Sequence, residues 1–139
     1  MQIGILGTME ARFADRSPSL GGTKQRAVLA MLVLSPGRVV SVDQLADGLW
    51  GDKIPDSATN VVHTYISRLR RILSAGGPDD TGFGGLRRCR PGYLLELDPE
   101  CIDLCRFERL NREGIGQLQT APEAASATLR RALRCQGRP

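Results

Sequence analysis

The stretch SATNVVHTYISRLRRILS, residues 57–74, decides how the rest of this chain folds. Its apolar residues recur at the spacing of an α-helix, which turns about 100° per residue. Placed on such a helix, the apolar residues gather on one side: Ala58, Val62, Tyr65, Ile66, Leu69, Ile72 and Leu73. The stretch therefore predicts an amphipathic helix, with one side packed on a core and the other facing solvent.

The outward side of this predicted helix carries amide, imidazole, hydroxyl and guanidinium groups and has no carboxylate. A helix side that is merely solvated usually mixes Glu and Lys at i,i+4 spacing, because such pairs support the helix. We therefore interpret this side as a DNA-binding surface, with a simply basic surface helix as the alternative. The candidates for contacts with base edges are Asn60, His63, Thr64 and Ser67, and those for phosphate contacts are Arg68 and Arg71.

Charge is unevenly distributed along the chain. The net charge is +4 over 139 residues, and residues 57–93 hold six arginines against two aspartates. Residues 41–56, by contrast, hold four aspartates against one lysine. A positive excess favours polyanionic partners such as nucleic acid. The acidic segment just before it indicates a second partner of a different kind.

The residues before the amphipathic helix predict a small sheet and a further helix. Residues 2–7 predict a strand, and two more short antiparallel strands are expected before the glycines at 21 and 22. Residues 23–34 predict a strongly apolar helix that stops at the Ser-Pro-Gly sequence following it. Its early Lys24 and Arg26 are further candidates for phosphate contacts, because helix N-termini attract anions.

A capping box lies between this apolar helix and the amphipathic one. Ser41 at the N-cap and Gln44 three positions later predict a helix that runs through Trp50. A loop follows, and Asp56 or Ser57 is expected to cap the next helix. A helix, a loop and a longer helix with a basic outer side predict a helix-turn-helix with an enlarged turn.

The residues after the amphipathic helix predict a basic β-hairpin. Residues 75–85, rich in Gly, Pro and Asp, predict a flexible connection. Residues 86–90 and 93–97 predict two strands, and the Pro-Gly sequence between them suits a tight turn. The arginines Arg87, Arg88 and Arg90 make this hairpin a candidate wing on the DNA backbone or minor groove, with a solvated hairpin as the alternative.

Beyond Pro99, the sequence predicts two amphipathic helices, residues 103–119 and 120–134. Together they would form a helical hairpin whose apolar face has nothing to pack against. Hairpins of this kind gain stability by stacking on further ones, so we expect the chain to be a fragment of a longer protein.

The sequence offers no constellation typical of a catalytic, metal or cofactor site. His63, the single histidine, has no carboxylate one turn away, and the four cysteines lack metal-ligand spacing. We therefore expect free thiols, no cofactor and no enzyme. The sequence shows neither a signal peptide nor an apolar run long enough to cross a bilayer, so a cytoplasmic, nucleoid-associated protein is expected.

At this point the residues resemble a known family. The runs YISRLRRIL at 65–73, RPGYLL at 90–95 and DLCRFERLNREG at 103–114, in this order after a short N-terminal sheet, are similar to the Streptomyces antibiotic regulatory protein family. The resemblance implies an α+β fold. Residues 1–98 would form an OmpR-type winged helix-turn-helix, and residues 99–139 would begin an all-helical bacterial transcriptional activation domain.

The resemblance also implies an activator that binds direct promoter repeats as a side-by-side dimer and recruits RNA polymerase, controlling a secondary-metabolite gene cluster. In OmpR-type proteins the loop between the two central helices faces polymerase, commonly a sigma factor, with the alpha subunit as a further candidate. In this sequence that loop consists of Trp50, Gly51, Asp52, Lys53, Ile54, Pro55 and Asp56. Its acidic character independently suits a basic protein partner on the same promoter, although Asp43 and Asp56 also suit simple helix capping. The alternative function is a protein-interaction module whose basic helix docks on an acidic partner.

Overall fold

The computed structural model describes residues 1–13, 16–74 and 83–135, with residues 83 and 84 described by their backbone alone. The α+β fold class predicted from the sequence is confirmed. The strands are β1 (Gln2–Gly4), β2 (Glu10–Arg12), β3 (Val40–Ser41), β4 (Phe83–Cys89) and β5 (Gly92–Leu97). The helices are α1 (Thr23–Val33), α2 (Val42–Trp50), α3 (Ala58–Ser74), α4 (Asp103–Gln117) and α5 (Pro122–Arg134), with a 3-10 turn at Pro99–Cys101.

Helices α1, α2 and α3 pack around one apolar core. The most completely buried side chains of these helices, each at most 1% exposed, are Val28, Leu29, Leu32, Val33, Leu45, Val62, Ile66, Leu69 and Leu73. Burying one such side chain stabilises the fold by roughly 1.5–3 kcal/mol. The apolar stripe predicted for α3 is therefore confirmed, although Tyr65 and Ile72 at its edges are only half-buried.

The start of α2 is fixed by the predicted capping box. The hydroxyl of Ser41 accepts a hydrogen bond from the backbone N–H of Gln44 at 3.0 Å, and the Gln44 side chain accepts one from the Ser41 N–H at 2.9 Å. Two N–H groups that a helix start leaves unpaired are thereby satisfied. Ser41 also belongs to β3, where it pairs with Gly92. One residue thus joins the sheet to the helix-turn-helix.

The C-terminal sheet has three strands in the order β3-β5-β4, all antiparallel. The extended link predicted before the capping box is therefore a strand that pairs with the hairpin. The hairpin strands are also longer than predicted, because the ladder already begins at Phe83 and extends to Gly92. The predicted flexible connection is thus wrong for residues 83–85, whereas residues 75–82 lie outside the described part of the chain.

The N-terminal sheet consists of β1 and β2 in antiparallel pairing. Between Gly7 and Gly22 two strands were expected, but the described residues there form only β2 and an isolated antiparallel bridge between Phe13 and Arg16. Pro18 lacks the backbone N–H that a strand ladder requires, which agrees with the missing strand.

The last two helices form the predicted helical hairpin and are fixed to the N-terminal sheet. The carboxylate of Asp103, at the start of α4, is 4% exposed and accepts backbone N–H groups of Ile5 and Leu6 at 2.8 and 3.0 Å. Ile102, just before it, forms a parallel bridge with Ile3 of β1. Along the hairpin, three large apolar side chains are more than half exposed: Ile115, Leu118 and Leu133. Among the described residues no helix is both long and apolar enough to cross a bilayer.

Candidate nucleic-acid interface

The outer side of α3 presents polar and basic side chains to solvent. Five of the six predicted DNA-contacting residues of this helix are exposed, namely Asn60, Thr64, Ser67, Arg68 and Arg71. The helix contains no carboxylate, so none of these arginines is neutralised from within α3. The hydroxyl of Thr64 donates to the carbonyl oxygen of Asn60 at 3.0 Å, which leaves the hydroxyl's lone pairs free to accept. The structure therefore brings these five residues together on one accessible surface.

His63 differs from the other predicted base-contacting residues because it is half-buried. Its ring lies edge-on to the ring of Tyr93 in β5, with centroids 5.7 Å apart and an interplanar angle of 74°. The Nδ1 atom of His63 is hydrogen-bonded to the Tyr93 hydroxyl. His63 thus lies on the flank of α3 that faces the hairpin.

Arg70 lies on the same flank, two helical turns after His63. Its Nε donates a hydrogen bond to the backbone carbonyl of Leu86 in β4 at 2.9 Å. This bond joins α3, the candidate recognition helix, to the hairpin of β4 and β5, the candidate wing. Arg70 is not among the contact residues predicted from the sequence, although its position on the helix, about 90° away from the centre of the outer side, already indicates this flank.

The hairpin arginines divide between two faces because successive strand residues point to opposite sides. Arg88 is paired with Tyr93 and shares its face, which is the face turned to α3. Arg87 points to the opposite face, where it forms an ion pair with Glu96 across the two strands. Arg90 is exposed at the turn, where the Arg90–Pro91 peptide bond is cis. The local sequence does not predict the ion pair of Arg87, because the register between the two strands creates it.

The hydroxyl of Tyr93 belongs to a buried side chain, since the residue is only 3% exposed. Burial raises the pKa of Tyr93 above its ordinary value of 10.0, while the positive charges of Arg88 and Arg70 act in the opposite direction. The phenol therefore keeps its proton at neutral pH and remains a hydrogen-bond donor.

The remaining predicted contact residues lie on other elements. In the first turn of α1, Lys24 is exposed and Arg26 is half-buried. In the loop between α2 and α3, every residue from 51 to 57 is exposed, and Ile54 retains 44% of its accessible surface. Trp50, at the end of α2, is half-buried and packs against the core. The roles predicted for these residues in binding DNA or polymerase stay predictions.

Comparison with known proteins places this arrangement among transcriptional regulators. Residues 18–83 match the family model described as "Transcriptional regulatory protein, C terminal". The chain is 34% identical over 134 residues to the transcriptional regulator RedD of Streptomyces coelicolor, and 40% identical over 137 residues to the regulatory protein DnrI of Streptomyces peucetius. Each match covers 96% of this chain, which spans 38% of RedD and 50% of DnrI.

The fold is also found in a solved structure, that of EmbR from Mycobacterium tuberculosis in complex with a low-affinity phosphopeptide. The match has a TM-score of 0.88 at 34% identity and covers 99% of this chain and 36% of that chain. These relatives are transcriptional regulators, which confirms the expectation that this chain is not an enzyme. The resemblance to the Streptomyces antibiotic regulatory protein family is therefore confirmed: the chain matches these transcriptional regulators over nearly its whole length and carries their winged-helix DNA-binding domain.

Proposed function

We propose that this chain binds direct repeats in a promoter as a side-by-side dimer and activates transcription of a secondary-metabolite gene cluster by recruiting RNA polymerase. In this proposal residues 1–98 bind DNA and residues 99–139 begin the activation domain. The single observation that supports it most strongly is the outer side of α3, which is exposed, basic and free of carboxylates.

Helix α3 would act as the recognition helix. The first residues of such a helix enter the major groove most deeply, so Asn60 and Thr64 are the main candidates for base contacts, followed by Ser67. Amide and hydroxyl groups both donate and accept hydrogen bonds and therefore suit base edges. Arg68 and Arg71, farther along the helix, would anchor the phosphate backbone.

The hairpin of β4 and β5 would act as the wing. β3 pairs with Gly92 and Tyr93 at the turn end of β5, and the Arg70–Leu86 hydrogen bond joins β4 to α3, so the turn is held at a set distance from α3. Arg88 and Arg90 would contact the backbone or the minor groove beside the site of α3. A recognition helix and a wing fixed to each other suit binding in a single register on the duplex.

The loop between α2 and α3 supports the proposed contact with RNA polymerase. The loop is exposed throughout and carries Asp52 and Asp56 around an exposed Ile54. An acidic rim around an apolar side chain suits a basic protein surface that itself sits on the promoter. A sigma factor would be the main partner, with the alpha subunit as a further one.

Footprinting of the promoters in the gene cluster that surrounds the coding sequence tests the proposal. We expect two adjacent protected direct repeats whose centres are about 10.5 base pairs, or a multiple of that, apart, because each subunit must meet the same face of the duplex. Protection of one isolated site, or of no site at all, would contradict the dimer or the DNA-binding role respectively.

A further inference from the structure

His63 and Tyr93 connect the recognition helix to the centre of the C-terminal sheet. Tyr93 lies in β5, the middle strand, where its backbone is paired with Val40 on one side and with Arg88 on the other. It is almost completely buried, so its ring has a fixed position. His63 lies in the first half of α3, among the residues that would reach base edges, but its ring is turned toward the hairpin and half-buried.

The neighbours of the Tyr93 hydroxyl decide the direction of its hydrogen bond. Arg70 and Arg88 are the charged groups that act on this hydroxyl, and a guanidinium group can only donate. A buried phenol that keeps its proton requires an acceptor. The Nδ1 atom of His63, which contacts the hydroxyl, can be that acceptor only when its lone pair is free.

When Nδ1 of a neutral imidazole accepts a hydrogen bond, the ring proton resides on Nε2. The second nitrogen of His63 is then a donor and cannot accept. In a major groove, guanine presents two acceptors, N7 and O6, whereas cytosine presents the N4 amino donor. An imidazole held in this tautomer therefore distinguishes these two bases.

We propose that Tyr93 is a positioning residue for base recognition, which holds His63 so that Nε2–H selects a guanine edge and rejects cytosine at one base pair of the operator. This inference rests on the proposed function, since it requires α3 to lie in the major groove. Tyr93 itself does not contact DNA in this proposal. It acts only through the orientation and the tautomer of His63.

Binding to every single-base variant of the footprinted operator tests the proposal, measured for wild type, Tyr93→Phe, His63→Ala and the double variant. We expect Tyr93→Phe to reduce the preference for guanine at one base pair by roughly fivefold or more, since one specific base contact is worth that much. His63→Ala should remove the preference for guanine at the same base pair. The double variant should match His63→Ala alone, because Tyr93 has nothing to position once the imidazole is gone. Tyr65→Phe, which removes the other tyrosine hydroxyl, is the matched control and should keep the wild-type profile.

Three outcomes of the binding experiment overturn the inference. Tyr93→Phe could weaken binding equally at all operator variants, alter a base pair that His63→Ala leaves unchanged, or leave the profile intact. A wild-type chain that shows no preference for the operator over random DNA would instead refute the proposed function. The two failures are therefore distinguishable.

Nitrogen NMR gives a second test that does not require a folded Tyr93 variant. His63 is the only histidine of the chain, so its two ring nitrogens give the only imidazole signals. We expect chemical shifts of the neutral form with the proton on Nε2 in the free wild-type chain. Signals of the form with the proton on Nδ1 would overturn the inference.

Discussion

The side-chain carboxylate of Asp103 accepts a hydrogen bond from the backbone N–H of Ile5 at 2.8 Å, across 98 residues of sequence. The same carboxylate also accepts from Leu6 and from Leu104, so both of its oxygens are used. Because Asp103 opens α4, these bonds fix the helical hairpin to the N-terminal sheet. The hairpin of α4 and α5 is therefore held in one orientation relative to the winged helix.

Replacement of Asp103 by Asn tests this connection. The amide retains one acceptor oxygen but places its NH₂ group where the second carboxylate oxygen accepts the N–H of Leu6. We expect the free energy of unfolding to fall by roughly 2–3 kcal/mol, since a charged acceptor is lost and a donor is left unpaired. Urea unfolding measures this change. Asp98→Asn is the control, because this exposed cap accepts a single N–H, from Glu100, and Asn caps about equally well. Equal losses for the two variants would refute the special role of Asp103.

Replacement of Arg68 or Arg71 by Ala should weaken binding to operator and random DNA by the same factor, because a phosphate contact carries no sequence information. Each loss should also reduce the slope of log K against log salt by about 0.9. Titrations at several salt concentrations measure both effects. Arg109→Ala is the control, since this arginine lies on α4 and binds Glu100 and Glu113. An unchanged slope for the α3 variants would exclude them from the phosphate contacts.

The two neighbouring wing arginines should differ in their effect on binding. Arg88→Ala should lower DNA affinity by roughly 1 kcal/mol, the order expected for one phosphate contact, because this arginine shares the face turned to α3. Arg87→Ala should lower the DNA affinity by a smaller amount, because Arg87 already pairs with Glu96 on the opposite face. Equilibrium binding of both variants to one operator gives the comparison. A larger loss for Arg87 would mean that the ion pair opens on binding.

Replacement of Asp52 by Lys should separate activation from binding. The aspartate lies in the exposed loop between α2 and α3, outside the surface proposed for DNA. Reversing its charge should oppose a basic polymerase surface while leaving operator affinity within about twofold, since surface charges away from a site have small effects. In vitro transcription and gel shift on the same promoter measure the two properties. Transcription at the wild-type level would exclude this loop from the polymerase contact.

Stability should depend on Tyr93 at alkaline pH. Its pKa is raised by burial, so above pH 10.0 the unfolded chain loses the phenol proton before the folded chain does. Unfolding then releases a proton, and the free energy of unfolding falls as pH rises until the raised pKa is passed. Urea unfolding at about pH 8 and about pH 11 should therefore show a smaller decrease for Tyr93→Phe than for wild type. Identical decreases would contradict the burial of this hydroxyl.

The sequence predicts those features of the fold that depend on local spacing. The periodicity of residues 57–74 identifies both the buried stripe and the exposed polar side of α3, and Ser41 with Gln44 places the start of α2. Each of these signals arises within one or two helical turns, so a single segment is enough to recognise it.

The features that the sequence does not predict depend on pairing between distant segments. The bonds from Asp103 to Ile5 and Leu6, the ion pair of Arg87 and the contact of His63 with Tyr93 join residues that local patterns treat separately. The same holds for the pairing of β3 with the hairpin, since two residues are too few to show strand alternation. For the candidate site this means that one residue is grouped incorrectly. Helix periodicity places His63 with Asn60 and Thr64, although its ring faces the wing.

Position 92 limits how the wing can diverge among regulators with this architecture. Gly92 is buried in β5 against β3, and a Cβ there would overlap the carbonyl oxygen of Val40. Any other residue would push the hairpin off β3 and with it the Ser41 cap of α2. New promoter preferences acquired through the wing must therefore arise from substitutions at exposed positions such as 88 and 90, while the residue that follows the turn proline stays glycine.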